Sequence, residues 1–73
     1  MKWHHHTTKG PVFIVQIKDR FHVIFDDEDL GNYVTPQQAS DDISGGHTFM
    51  PSSGIDLGEL EISDDLGDWT RSK

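Results

Sequence analysis

A short helix with both ends marked is the sequence feature that most constrains this chain. Thr35 is a helix N-cap residue, Pro36 suits the first helical position, and Gln38 stands where it completes a capping box. Gly45-Gly46 supplies a left-handed stop. The sequence therefore predicts a helix over residues 36–44. A helix of this length does not persist alone in water, so it must dock on a sheet formed by the residues before it.

Two segments before the helix, residues 12–18 and 21–25, have the β-branched and aromatic composition of strands. A three-residue connection, Lys18-Asp19-Arg20, pairs Ile17 with Phe21 and gathers the large side chains on a single face. That face comprises Phe13, Val15, Ile17, Phe21, Val23 and Phe25. We expect the helix to pack on this face, and Asp19 or Arg20 to take the left-handed position of the loop.

The opposite face of the same hairpin is too apolar for a fully hydrated surface and too polar for a sealed core. It consists of Val12, Ile14, Gln16, His22 and Ile24. Either the C-terminal segment folds over this face, or a second copy of the chain or another protein covers it. These five residues form our candidate interaction face.

The predicted fold class is α+β, with a small three-stranded antiparallel sheet packed on one short helix and an irregular C-terminal segment. The third strand, residues 31–34, leads directly into the helix. We divide the chain into a polar flexible arm at residues 1–10, a β-β-β-α core at residues 11–46, and an acidic segment at residues 47–70. The apolar side chains of that last segment must pack on the core or on a partner.

Charge is distributed unevenly along the chain. There are 13 Asp and Glu against 6 Lys and Arg, a net charge of −7, and residues 21–70 contain no Lys or Arg. Such a field repels phosphate backbones and anionic lipid. The chain has no Cys, its first residues lack the apolar region of a secretory signal, and its longest apolar run cannot span a membrane. We therefore expect a cytoplasmic protein with no membrane partner.

The residue patterns of catalysis are missing from the sequence. There is no Cys nucleophile, no Ser in a G-x-S-x-G context, and no Gly-rich phosphate loop at a helix start. The acidic run at residues 26–29 fails the calcium-loop template, because Leu30 and Gln37 stand at two ligand positions. We therefore predict no enzyme activity and no catalytic, cofactor-binding or metal-binding residues. Asp-Leu-Gly, which begins at Asp29, Asp56 and Asp65, is interpreted as repeated turn chemistry.

The histidines leave one metal alternative open. His22 and His47, together with an acidic neighbour, are candidates for an adventitious site. His4 to His6 are either native or the remnant of a purification tag. Three consecutive histidines on an extended arm cannot all face one ion, since successive side chains point to opposite sides.

The run R-F-H-V-I-F-D-D-E-D-L-G-N-Y-V-T-P-Q-Q-A-S-D-D-I resembles the layout of plant AP2-type domains and of the arm-binding domains of phage integrases. The similarity covers residues 12–44 and implies three strands backed by one helix. Those families read DNA with basic and aromatic residues on the exposed sheet face, whereas the matching positions here are the candidate interaction face, which contains no Arg or Lys. The chain as a whole is similar to short uncharacterised bacterial proteins.

These observations favour a non-enzymatic small interaction module. It binds a protein partner or a second copy of itself through a sheet face or a strand edge. Two alternatives are nucleic-acid binding through an AP2-like sheet, which the net charge of −7 disfavours, and the adventitious histidine metal site.

Overall fold

The computed structural model describes residues 1–72 and places one helix against one sheet. The elements are β1 (Lys2–His5), β2 (Val12–Ile17), β3 (Arg20–Phe25), β4 (Glu28–Tyr33), α1 (Pro36–Ser44) and β5 (Thr70–Ser72), with 3₁₀ turns at Leu57–Glu59 and Leu66–Asp68. The strands form an antiparallel sheet in the order β4-β3-β2-β1-β5. The α+β class is confirmed, and the expected three-stranded sheet is corrected to five strands.

The two additional strands come from the two ends of the described chain. β1 pairs with β2 on one side and with β5 on the other, which sets Lys2 opposite Ser72. Residues 2–5, assigned from the sequence to a flexible polar arm, form a strand because Trp3 is buried, with 7% of its surface exposed. A strand is predicted from apolar and polar residues that alternate over several positions, and a single tryptophan among polar neighbours does not give that pattern.

The predicted register of the β2–β3 hairpin is wrong. The connection is a two-residue turn, Lys18-Asp19, and the pairs are Ile17 with Arg20 and Gln16 with Phe21. Lys18 takes the left-handed conformation, with φ of 57°. Because side chains alternate along a strand, the shift by one residue moves every β2 side chain to the other face.

The core lies between α1 and one face of the sheet, which we call the inner face. The buried apolar residues are Trp3, Val12, Ile14, Val23, Phe25, Leu30, Ala39, Ile43, Leu57, Ile62 and Trp69. The helix therefore packs on Val12 and Ile14, and not on Phe13 and Val15 as predicted. The outward set of β2 is entirely apolar, whereas the inward set contains Gln16, so the composition of the strand favoured the wrong face.

Helix α1 begins and ends as its sequence indicates. The Thr35 side chain accepts a hydrogen bond of 3.1 Å from the Gln38 amide. At the other end the amides of Gly46 and His47 donate to the carbonyls of Ile43 and Asp42, and Gly46 has a φ of +72°. This is the Schellman arrangement, so the predicted range of residues 36–44 is confirmed.

The C-terminal segment packs beside α1 on the inner face. Leu57, Ile62 and Trp69 are buried, and the Trp69 indole donates to the Ser63 carbonyl over 2.9 Å. In all three Asp-Leu-Gly units the Asp side chain accepts a hydrogen bond from the Gly amide, at 3.0 Å, 2.9 Å and 2.9 Å. Two of these units start the 3₁₀ turns and the other lies within β4, which confirms the repeated turn chemistry.

Candidate interaction surface on the outer face of the sheet

The face of the sheet turned away from α1, here called the outer face, is defined by the strand register. Its side chains are Lys2, His4, Phe13, Val15, Ile17, Arg20, His22, Ile24, Asp29, Asn32, Thr70 and Ser72. Helix α1, Leu57, Ile62 and Trp69 all contribute to the core on the inner face. No helix in residues 1–72 packs on the outer face, so one side of the sheet meets solvent.

The structure divides the candidate interaction face between the two sides of the sheet. Val12 and Ile14 are completely buried in the core, at 0% exposure. Gln16 follows them on the inner side but is exposed. His22 and Ile24 lie on the outer face. The five residues do not form one surface, because the register that joined them is shifted by one residue.

The centre of the outer face is apolar, and we call Phe13, Val15 and Ile24 the apolar centre. Phe13 lies directly opposite Ile24 on the neighbouring strand, and all three side chains are half-buried. The Lys2 ammonium lies 4.9 Å from the centroid of the Phe13 ring, and the His4 ring lies 6.1 Å from it. These cationic and imidazole groups cover part of the aromatic surface that would otherwise be hydrated.

Asp26 and Asp27 form the β3–β4 turn, which we call the acidic end of the outer face. Both residues have positive φ, 54° and 61°, as in a two-residue hairpin turn. They line a shallow cavity of about 210 Å³ together with Phe13 and Ile24, so they border the apolar centre. Lys9 lines the same cavity and is the cation at this end.

The opposite end of the outer face, the basic end, carries Arg20 beside the β2–β3 turn, which consists of Lys18 and the oppositely charged Asp19. Arg20 is exposed and its Nε donates a hydrogen bond of 2.8 Å to Asn32 Oδ1. This bond orients the guanidinium while its remaining N–H groups stay free for an anionic group. The outer face thus changes from acidic to apolar to basic along the strand direction.

The histidines do not converge on a metal site. His22 Nδ1 lies 2.7 Å from Asp29 Oδ2 on the outer face, whereas His47 follows α1 and lies against Gly45. The rings of His4 and His6 are edge to face with centroids 5.2 Å apart. Within residues 1–72 no group of three or more His, Asp or Glu side chains is placed to hold a metal ion.

The free edge of β4 is partly closed by the segment that follows α1. The Phe49 amide donates to the Leu30 carbonyl over 3.1 Å, and the Ser52 amide and hydroxyl both donate to the Glu28 carboxylate. The hydrogen bonds from Ser52 hold the pKa of Glu28 below its usual value. Phe49 itself is 75% exposed. This edge is therefore bonded at one main-chain group, the Leu30 carbonyl, and at the Glu28 side chain.

The members of the outer face that sequence reasoning missed include Lys2, His4, Phe13 and Val15. The first two lie on β1, which no pattern in the polar N-terminal residues indicated. The other two were assigned to the core side. The signal that distinguishes the sides is Trp3, which pairs with Ile14 and is buried with it, so the partners of Lys2 and His4 must face outward.

No helix in the described residues is long and apolar enough to cross a lipid bilayer. Comparison of the chain with protein-family models, with curated proteins and with solved structures finds no match.

Proposed function

We propose that this protein is a non-enzymatic interaction module whose outer sheet face binds another polypeptide. The observation that supports the proposal is an aromatic and aliphatic centre on a sheet face that no helix in residues 1–72 covers. Phe13, Val15 and Ile24 occupy adjacent positions there, so their apolar surface is contiguous. Contiguous apolar surface with charged groups at its border is typical of protein-binding sites. The proposed location is the cytoplasm, as the cysteine-free sequence favours.

The open face suits this role better than the strand edges do. The β4 edge already bonds to Phe49 and Ser52, and β5 offers only three residues for pairing with an added strand. Strand addition draws its affinity from a row of free main-chain groups, and Phe49 interrupts that row at Leu30 on β4 while β5 is short. Binding through side chains of the outer face needs no rearrangement of these contacts.

Site-specific photocrosslinking tests the proposal. A photoreactive phenylalanine analogue at Val15 reports on the apolar centre, and the same analogue at the exposed Glu59, on the inner side of the molecule, is the matched control. We expect a discrete adduct from position 15 that is absent from position 59 and is lost when Ile24 is replaced by Asp. Equal labelling from both positions, or no adduct from position 15, would contradict the proposed function.

Nucleic-acid binding is the second candidate, because the observed register places Lys2 and Arg20 on the same face as Phe13. Cations beside an exposed aromatic ring on a sheet are typical of single-strand binding. The net charge of −7 opposes it. Fluorescence anisotropy of a labelled oligonucleotide at low salt is the test, and an unchanged signal at high protein concentration excludes this function.

A further inference from the structure

We propose that the partner of the outer face is the outer face of a second copy, in an antiparallel face-to-face dimer. This inference rests on the proposed function and names its partner. The order of chemistry along the strands supports it: Asp26 and Asp27 at one end, Phe13, Val15 and Ile24 in the centre, and Arg20 at the other end. A surface with this order complements its own reversed copy.

The symmetry follows from that order. A two-fold axis in the plane of the interface and perpendicular to the strands reverses the strand direction of the second copy, so each acidic end lies over a basic end. An axis parallel to the strands would place acidic end on acidic end. Both arrangements align the two sheets as in a sandwich, and only the first places opposite charges together.

The strand register determines which charged residues meet. Val23 lies at the middle of β3 opposite Ile14, with Arg20 three positions before it and Asp26 three positions after it. An axis that crosses the sheet at this level places Arg20 of one copy over Asp26 of the other, twice in each dimer. The same operation places Phe13 over Val15 on β2, which joins the two apolar centres.

The size of the face and the charge of the chain together predict a weak dimer. Three strands about 20 Å long and the shorter β1 and β5, spaced about 4.8 Å apart, present an area no larger than the lower end of specific interfaces. The net charge of −7 on each copy opposes association at long range. Contact between the apolar centres must therefore supply the attraction, while the Arg20–Asp26 pairs select the antiparallel orientation.

Sedimentation equilibrium from micromolar to millimolar concentration tests the dimer with a charge-reversal cycle. Arg20→Glu and Asp26→Lys are each expected to weaken dimerisation about tenfold, because each sets like charges opposite one another. The double variant Arg20→Glu/Asp26→Lys restores opposite charges and is expected to recover to within about threefold of the unmodified chain. Glu59→Lys, a charge reversal away from the face, should leave the dimer unchanged.

Three results would overturn the dimer: a monomer at every concentration, single variants that dimerise normally, or a double variant weaker than either single one. Tryptophan emission verifies that each variant is folded, since Trp3 and Trp69 are both buried. The crosslinking at Val15 separates this inference from the proposed function. An adduct of twice the chain mass supports the dimer, and an adduct with a different polypeptide overturns the dimer while retaining the interaction module. No adduct overturns both.

Discussion

Phe13 and Phe21 point to opposite faces of the sheet. Phe21 lies on the inner side with its ring centroid 6.0 Å from that of Trp3, whereas Phe13 lies under the Lys2 ammonium on the outer face. The candidate interaction face depended on these two rings lying on the same side of the sheet. Because they lie on opposite sides, its five residues do not form one surface. A different surface, centred on Phe13, takes its place.

Two valines of β2 test this assignment of faces with the same substitution. Val12→Ala removes buried methyl groups and is expected to cost about 2 kcal/mol of the free energy of unfolding, because Val12 is completely buried. Val15→Ala, on the half-buried outer side, is expected to cost less than about 1 kcal/mol. Urea denaturation of dilute protein, followed by tryptophan fluorescence, measures the free energy of unfolding of both variants. A larger loss of stability for Val15→Ala than for Val12→Ala would support the register predicted from the sequence.

The β2–β3 turn provides a second matched pair. Lys18 adopts a left-handed conformation that favours glycine, so Lys18→Gly is expected to stabilise the fold by about 0.5–1 kcal/mol. Asp19 is not in this region, and Asp19→Gly should destabilise the fold by a similar amount through added chain entropy. Thermal unfolding monitored by circular dichroism measures the two changes, and shifts of the same sign in both variants would contradict the turn geometry.

The end of α1 depends on Gly46 far more than on Gly45. Gly46 has a φ of +72°, and an added Cβ would lie 2.9 Å from Asp56 Oδ1 and 3.3 Å from the Gly58 Cα. Gly46→Ala is therefore expected to cost about 1–3 kcal/mol, from backbone strain and from displacement of the adjacent 3₁₀ turn. Gly45 has a right-handed conformation, and its added Cβ would clash with the movable His47 ring at 2.6 Å and make an ordinary contact of 3.5 Å with the Asp41 carbonyl.

Gly45→Ala is accordingly expected to cost less than about 1 kcal/mol. Chemical denaturation of both variants, compared with the unmodified chain, decides between the two positions. Equal losses at Gly45 and Gly46 would show that the left-handed conformation is not what ends the helix.

Tyr33 is the chain's one tyrosine, so its titration is read without overlap from another phenol. Burial, followed by the nearby Asp42 carboxylate, raises its pKa from 10.0 to about 12. A raised phenol pKa means that the neutral form is favoured on folding. The associated stability is fully present below pH 10 and is lost as the pH rises through about 12.

Absorbance of the phenolate measures this pKa directly. We expect a midpoint near 12 in the folded protein and near 10 in denaturant. Asp42→Asn should lower the folded midpoint only in part, because burial is the larger cause. A folded midpoint at the denatured value would contradict the packing of Tyr33.

The sequence predicted the local structure better than the long-range pairing. Thr35 and Gly46 determine the ends of α1 through bonds to residues within four positions, and such signals are visible in a single chain. The register of β2 depended instead on which of its two alternating sets meets the helix, and composition favoured the set without Gln16, which is the wrong one. Trp3 resolves that choice by pairing with Ile14, but nothing local indicates that a polar N-terminal segment adds a strand there.

The same limit applies to the candidate interaction surface. Asp26 and Arg20 were visible as members of two turns, yet their relation across the outer face appears only when the β2–β3 register is known. His22 and Ile24 were assigned correctly to the side opposite Val23 and Phe25. Val12 and Ile14 were not, because an error of one residue in a hairpin loop exchanges the faces of one strand and leaves the other unchanged.

The pairing of Lys2 with Ser72 joins the first and the last strand of the described chain in one sheet. Strand β1 lies between β2 and β5, so its second side stays unpaired until Thr70 to Ser72 have been synthesised. A ribosome-bound chain lacking these residues leaves Trp3 beside an unpaired backbone edge. Completion of this sheet thus depends on a pairing between residues far apart in the sequence, and contacts of such long sequence separation slow folding.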